Sequence, residues 1–151
     1  MSPPCSELQS AYYAEDECPF VESIAGKAWN RLLPNPRLGS AWVIEAQSRL
    51  VGYVVVTLGY SLEYGGQDAS IDELYLAPAW RGRGLGHQGL KAVDAACIQL
   101  GVEALHLEVE RDKTAAQALY RRWGFADRER VLMTKSIGPP PGLSRSSTGN
   151  G

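Results

Sequence analysis

The chain has 151 residues, 44% hydrophobic and 21% charged, with a net charge of −2. That length suits a single domain large enough to bury a core, and the mild acidity (pI near 5.7) argues against general nucleic-acid binding while agreeing with a cationic ligand. No apolar run is long enough to span a bilayer. Met1-Ser2-Pro3-Pro4 lacks the charged and apolar regions of a signal peptide, so a cytoplasmic protein is expected. Cys5, Cys18 and Cys97 are odd in number and unpatterned, and only two histidines accompany them, which speaks against a disulfide framework and against a metal site.

In chain order, Glu7 to Tyr13 and Val21 to Leu33 read as short helices around an acidic turn, Glu15-Asp16-Glu17, with Pro34 and Pro36 ending the second. Trp42 to Glu45 and Leu50 to Leu62 are rich in β-branched and aromatic residues. The polar turn at Gln47-Ser48 joins them as a hairpin. Tyr64-Gly65-Gly66-Gln67 turns the chain into a strand over Ser70 to Leu76. From His87, apolar residues Leu90, Val93, Cys97 and Leu100 recur at helical intervals, and Gly101 is placed as a C-terminal cap. Cys97 therefore reads as core. Ala104 to Val109 is a further strand, Thr114 to Trp123 a helix, and Arg130 to Ile137 a last strand. From Gly138 the Pro, Gly and Ser composition is that of a disordered tail, which gives a domain over residues 1–137 and a tail over 138–151.

The segment Arg81-Gly82-Arg83-Gly84-Leu85-Gly86-His87 lies between the apolar strand Ile71 to Leu76 and a helix start. Glycine lets the backbone approach a ligand with its amides pointing inward. The first turn of the helix adds unpaired N–H groups, and Arg81 and Arg83 add fixed charge, so the segment reads as a cradle for phosphate. A P-loop is excluded, because His87 and Gln88 stand where it needs lysine and a hydroxyl. The string Gly84-x-Gly86-x-x-Gly89 has the Rossmann spacing, but Ala77 to Arg83 intervene after the strand and too few elements follow for two βαβ halves.

Arg81-x-x-Gly84-x-Gly86 resembles the pyrophosphate loop of the GNAT family of N-acetyltransferases. Ala116-x-x-Leu119-Tyr120-x-x-x-Gly124-Phe125 is similar to the family's second signature, and Ile71-Asp72-Glu73-Leu74-Tyr75-Leu76-Ala77-Pro78 to its central strand and following proline. The resemblance covers roughly Ser40 to Ile137 and rests on three motifs in register. It implies a mixed α/β fold with a mostly antiparallel central sheet, helices on both faces, and acetyl-CoA as cosubstrate. In that likeness the amides of Arg81 to His87 hold the pyrophosphate, and the backbone of Leu74, Tyr75 and Leu76 pairs with the pantetheine arm as an added strand would.

Tyr120 stands where the family has the tyrosine that protonates the departing CoA sulfur. Asp72 is the substrate-side carboxylate and Glu73 the runner-up, since strand alternation sends the two to opposite faces unless a bulge intervenes. Lys113 replaces a frequent asparagine and reads as a donor to phosphate or pantetheine. Only seven residues precede Leu8 and none has a strand pattern, whereas the family opens with an edge strand. Its loss leaves the Trp42 strand with an open edge, an invitation to a homodimer. Gly89 inside a helix costs about 1 kcal/mol relative to alanine and needs a packing reason.

The expected reaction is direct transfer of acetyl from acetyl-CoA to the primary amine of a small cationic substrate. Acidic and aromatic residues over Tyr60 to Tyr64, with Glu15, Asp16, Glu17 and Glu22, suit an ammonium. A protein lysine or N-terminus remains open as acceptor, as does a CoA-binding sensor without catalysis.

Overall fold

The computed structural model describes residues 6–138. Two helices lead: α1 (Ser6–Glu15) and α2 (Glu22–Leu32). Three strands follow, β1 (Gly39–Ala46), β2 (Arg49–Ser61) and β3 (Gly66–Leu76), then α3 (Leu85–Leu100), β4 (Ala104–Leu107) and α4 (Thr114–Arg122). The sheet runs β1-β2-β3-β4. Its first two pairings are antiparallel and β3–β4 is parallel. Gln47 and Ser48 both take positive φ, 50° and 62°, the two-residue hairpin geometry that matches the strands' twist.

β2 is buried without interruption from Val51 to Val56, because helices cover both faces of the sheet. On one face Val54, Val56, Ala69 and Ile71 pack with Leu90, Val93 and Cys97 of α3, and Leu119 and Tyr120 of α4 border them together with Trp123, the residue that caps α4. On the other face Tyr53, Val55 and Tyr75 meet Trp29 of α2, with Leu8 and Tyr12 of α1 at helical spacing. Leu90 and Val93 are fully buried, each stabilising the fold by about 1.5–3 kcal/mol. Gly89 now has its packing reason: a Cβ there would stand 3.3 Å from Val54 Cγ2 and 3.4 Å from Ile44 Cδ1, so glycine lets α3 lie close on the sheet. Gly101 caps α3 with φ 73°, as the sequence predicts.

Arg130 to Ile137 is not a strand. It makes no ladder with any described residue, and Val131, Leu132, Met133 and Ile137 are largely exposed. Strand composition is local, whereas a strand exists only through a neighbour. Arg128 and Arg130 instead hold the segment to Glu63 in the turn between β2 and β3. The expected tail lies, beyond Gly138, outside the described residues. No strand precedes α1 among the described residues, and β1 forms one edge of the sheet. None of the described helices is long and apolar enough to cross a membrane, and no described group of three or more His, Cys, Asp or Glu is arranged to hold a metal.

Candidate active site

The cradle is built from backbone. After β3, a short turn at Pro78–Trp80 brings the chain to Gly82 and Gly84, whose φ values of 74° and 81° are left-handed conformations that a side chain would strain. Gly84 is the N-cap of α3 and gives it no side-chain cap, so the amides of the first turn remain available to an anion. A Cβ at Gly82 or Gly84 would meet no protein atom within 4 Å, so the space above the loop is open. Arg83 lies over the Trp80 ring, 5.0 Å from its centroid. Arg81 is engaged within the protein: its Nε donates to the Leu76 carbonyl at 2.9 Å and its Nη2 meets Glu15 at 2.8 Å. His87 stacks edge-on against Trp123 at 4.1 Å. The buried Trp123 indole N–H has no hydrogen-bond partner.

β4 pairs with β3 only from Asp68 to Ile71 and ends at Leu107, so β3 runs on beyond Ile71 without a strand on that side. Leu74, Tyr75 and Leu76 remain paired to β2 on one side and have no β4 residue on the other. Main-chain groups along such an open side are what an extended ligand needs.

The carboxylates meet through a bulge. Val56 pairs with Ile71 and Val55 with Glu73, so the register passes over Asp72. Ile71 therefore belongs to the α3-side core while Glu73 lies with Tyr53 on the α1 side, and Asp72 and Glu73 line the same cavity. The alternation expected from sequence is broken here by one residue. The cavity, about 730 Å³, is also lined by Tyr12, Tyr13, Asp16 and Phe20.

Glu73 is held from three directions. The Tyr13 hydroxyl donates to its Oε2 at 2.6 Å, the Tyr53 hydroxyl to its Oε1 at 2.7 Å, and Gln9 Nε2 to Oε1 at 3.2 Å. Trp29 Nε1 donates to Gln9 Oε1 at 2.8 Å, which fixes the amide so that its NH₂ faces the carboxylate. Two hydroxyls and an amide NH₂ thus converge on Glu73 and fix its orientation. Burial, reinforced by the Glu73 charge and hydrogen bond, drives the Tyr53 phenol far above its ordinary value. Burial, then Asp16 and Glu73, does the same to Tyr12.

Tyr120, on α4, sits half-buried at the edge of the α3-side core with its ring edge-on to Phe125 at 6.0 Å. Burial raises its pKa and the nearby Lys113 partly offsets this. Lys113 Nζ is paired with Asp16, and that contact ties the start of α4 to the cavity wall. The acidic turn thus spends two of its charges on loop cations, Glu15 on Arg81 and Asp16 on Lys113.

Tyr60 to Tyr64 do not join the cavity wall. They lie at the far end of β3, about 23 Å along the strand from Glu73, where Glu63 and Tyr64 contact Arg128. Sequence reasoning missed Gln9, Tyr13, Trp29 and Tyr53. The four-residue step from Gln9 to Tyr13, which puts both on one helix face, was the available signal for the first two.

The glycine loop at the start of α3, the unpaired side of β3 and the bulge that turns two carboxylates into one cavity belong to a single mixed α/β domain. The acetyltransferase (GNAT) family model matches residues 5–125, and the chain belongs to that family, whose acyl donor is acetyl-CoA. It is 33% identical over 75 residues to an uncharacterised N-acetyltransferase of Bacillus subtilis (strain 168), a match covering 50% of this chain and 47% of that protein. It is 39% identical over 92 residues to the mycothiol acetyltransferase of Acidothermus cellulolyticus, covering 61% of this chain and 25% of that one. The matches thus span less than half the length of these two relatives. Among solved structures, an integron cassette protein from the mobile metagenome of Cole Harbour Salt Marsh superimposes with a TM-score of 0.81 at 36% identity, covering 92% of this chain and 86% of that one.

Proposed function

We propose that the chain transfers acetyl from acetyl-CoA to the primary amine of a small cationic substrate, in a ternary complex and without an acyl-enzyme. The observation that carries this reading is the bulge at Asp72, which turns two carboxylates toward one aromatic cavity. A cavity walled by Tyr12, Tyr13 and Phe20 with Asp72 and Glu73 offers a cation both ring faces and charge.

Acetyl-CoA supplies an activated carbonyl and a thiolate leaving group. The amides of Gly82 to His87 and Arg83 hold its pyrophosphate, and the open side of Leu74 to Leu76 aligns the pantetheine arm. Glu73, oriented by its three donors, anchors the substrate's positive charge. Asp72 takes the ammonium proton through water, the amine nitrogen forms its bond to the carbonyl carbon, and the carbon–sulfur bond breaks. Tyr120 gives its phenolic proton to the departing sulfur and regains one, through water, from the nitrogen, which sheds its second proton as the amide forms; Asp72 releases the first proton to solvent. Arg81 and Lys113 hold the loop and α4 in place through Glu15 and Asp16.

A turnover screen across amines, read as free thiol, tests the reading. Cationic diamines and polyamine-like amines are expected to be acetylated faster than neutral amines of similar size. A peptide N-terminus or lysine as the best acceptor would replace the small-amine reading, and no thiol release above background hydrolysis with any amine would leave a CoA-binding sensor.

A further inference from the structure

α2 is amphipathic, yet its apolar stripe is only partly spent on the core. Ile24, Ala25, Ala28 and Leu32 recur at helical spacing, but none of the four is buried, and Trp29 is the one α2 residue that is. The stripe instead walls the cavity that Asp72 and Glu73 enter, where Leu38, Val55 and Leu58 join it. Leu58 lies three residues beyond Val55, the cross-strand partner of Glu73, so this lining extends about 10 Å along β2 away from the carboxylate. At about 730 Å³ the cavity falls among sites for drug-sized ligands, roughly 300–1,000 Å³. A short diamine leaves most of it to water.

Charge in the cavity is confined. Its acids are Asp16, which is paired with Lys113, and the chain neighbours Asp72 and Glu73, which together suit one ammonium. The charged residue on the α2 wall is Arg31, and it is positive. A second ammonium directed along α2 would exchange water for apolar side chains and a like charge. Resting on the reading of this cavity as the acceptor site, we propose that the acceptor is an amphipathic monoamine, with its primary ammonium at the Asp72–Glu73 bulge and a single apolar body lying along Ile24, Ala28 and Leu58. The ammonium places the reacting nitrogen, and burial of the body selects among amines. Ala28 sets the room for that body, because a larger side chain there takes up its place on the α2 wall.

Steady-state kcat/KM, read as free thiol at saturating acetyl-CoA, is to be compared for linear monoamines from propylamine to octylamine and for the α,ω-diamines of matching length. The monoamine series is expected to climb about fourfold per added methylene until the cavity is filled, which is the gain from burying one CH₂. Each longer monoamine is expected to exceed its diamine by about tenfold or more, since the diamine buries a second charge. Ala28→Phe, at an exposed helix position, is expected to flatten the climb, and Ala28→Leu takes its place if that variant fails to fold. A flat series, or diamines ahead of their monoamines, with thiol release well above background, overturns the inference and leaves acetyl transfer to a small cation standing. A climb that the substituted protein shares puts the apolar body away from α2 and overturns it as well. Absence of thiol release with every amine overturns the acceptor reading of the cavity and this inference with it.

Discussion

Tyr53 donates to Glu73 at 2.7 Å although the two are not cross-strand partners: Tyr53 pairs with Tyr75, and Glu73 with Val55. The diagonal reach is possible because the bulge at Asp72 puts Glu73 on the same face as Tyr53. Glu73→Gln therefore changes more than charge. The new NH₂ faces groups that donate to the carboxylate today, so one buried hydrogen bond is lost at a cost of about 1–3 kcal/mol. The amine KM is expected to rise about tenfold or more while the acetyl-CoA KM holds, since a charged hydrogen bond contributes roughly 1.5–3 kcal/mol. Steady-state kinetics with both substrates varied checks this. An unaltered amine KM would confine Glu73 to the fold.

Asp72 has a different task in the proposed reaction, and its substitution reads differently. With Asp72→Asn the amine must lose its proton to solvent. Turnover at neutral pH is expected to fall by about 10²- to 10⁴-fold and to recover steeply as pH rises. A pH–rate profile of kcat/KM separates this from Glu73→Gln, whose loss in binding is expected at every pH. Identical profiles for the unsubstituted and Asp72→Asn proteins would remove Asp72 from proton transfer.

The cradle was legible because its determinants are local: Gly82, Gly84 and the helix start lie within a few residues, and positive φ is a property of single positions. The helices read well for the same reason. Asp72 and Glu73 were found as types but not as a pair, because the bulge is a property of the β2–β3 register and leaves no mark in β3 itself. Tyr53 was hidden in a run apolar on both faces, where alternation carries no signal. Arg130 to Ile137 shows the converse. Its composition is that of a strand, yet pairing depends on a neighbour that the segment's own residues do not specify.

Tyr12, Tyr53 and Tyr120 all have pKa values raised above the ordinary 10.0, chiefly by burial. A raised folded pKa means that the native state keeps a proton which the unfolded chain gives up. Their contribution is full below pH 10 and is lost as pH climbs from there toward the folded values. Each tyrosine steepens the loss by about 1.4 kcal/mol per pH unit. Denaturant unfolding on either side of pH 10 is expected to show this fall, with a shallower slope in Tyr53→Phe. Equal stability at pH 9 and pH 11 would contradict the burial of these phenols.

At the cradle, Gly84 takes φ 81° with no protein atom near its Cβ position. Gly84→Val is expected to fold less stably because of backbone strain, and to bind CoA weakly because the branched side chain occupies the space above the loop. Calorimetric titration of the folded variant measures the second effect. In the unsubstituted protein CoA at 100 times its Kd should add about 2.7 kcal/mol of stability, read as a rise in Tm. NAD should give none, and stabilisation by NAD without CoA would restore the dinucleotide reading of Gly84-x-Gly86-x-x-Gly89.

The sharpest test of chemistry as distinct from binding is Tyr120→Phe. The ring packs against Phe125 and borders the α3-side core, and phenylalanine keeps both contacts. Burial holds the phenol protonated beyond its ordinary range, so through the neutral and mildly alkaline region a proton is always present to give. Removing it leaves the thiolate to collect a proton from water. Cofactor affinity should hardly change, and turnover should fall by about 10²- to 10⁴-fold, roughly 3 to 5 kcal/mol of barrier. Single-turnover measurements with saturating amine isolate this step from product release. Because the donor keeps its proton, the unsubstituted enzyme's rate should show no alkaline decline from Tyr120 below pH 10. A Tyr120→Phe protein with an undiminished single-turnover rate would make the hydroxyl structural and assign protonation of the sulfur to solvent.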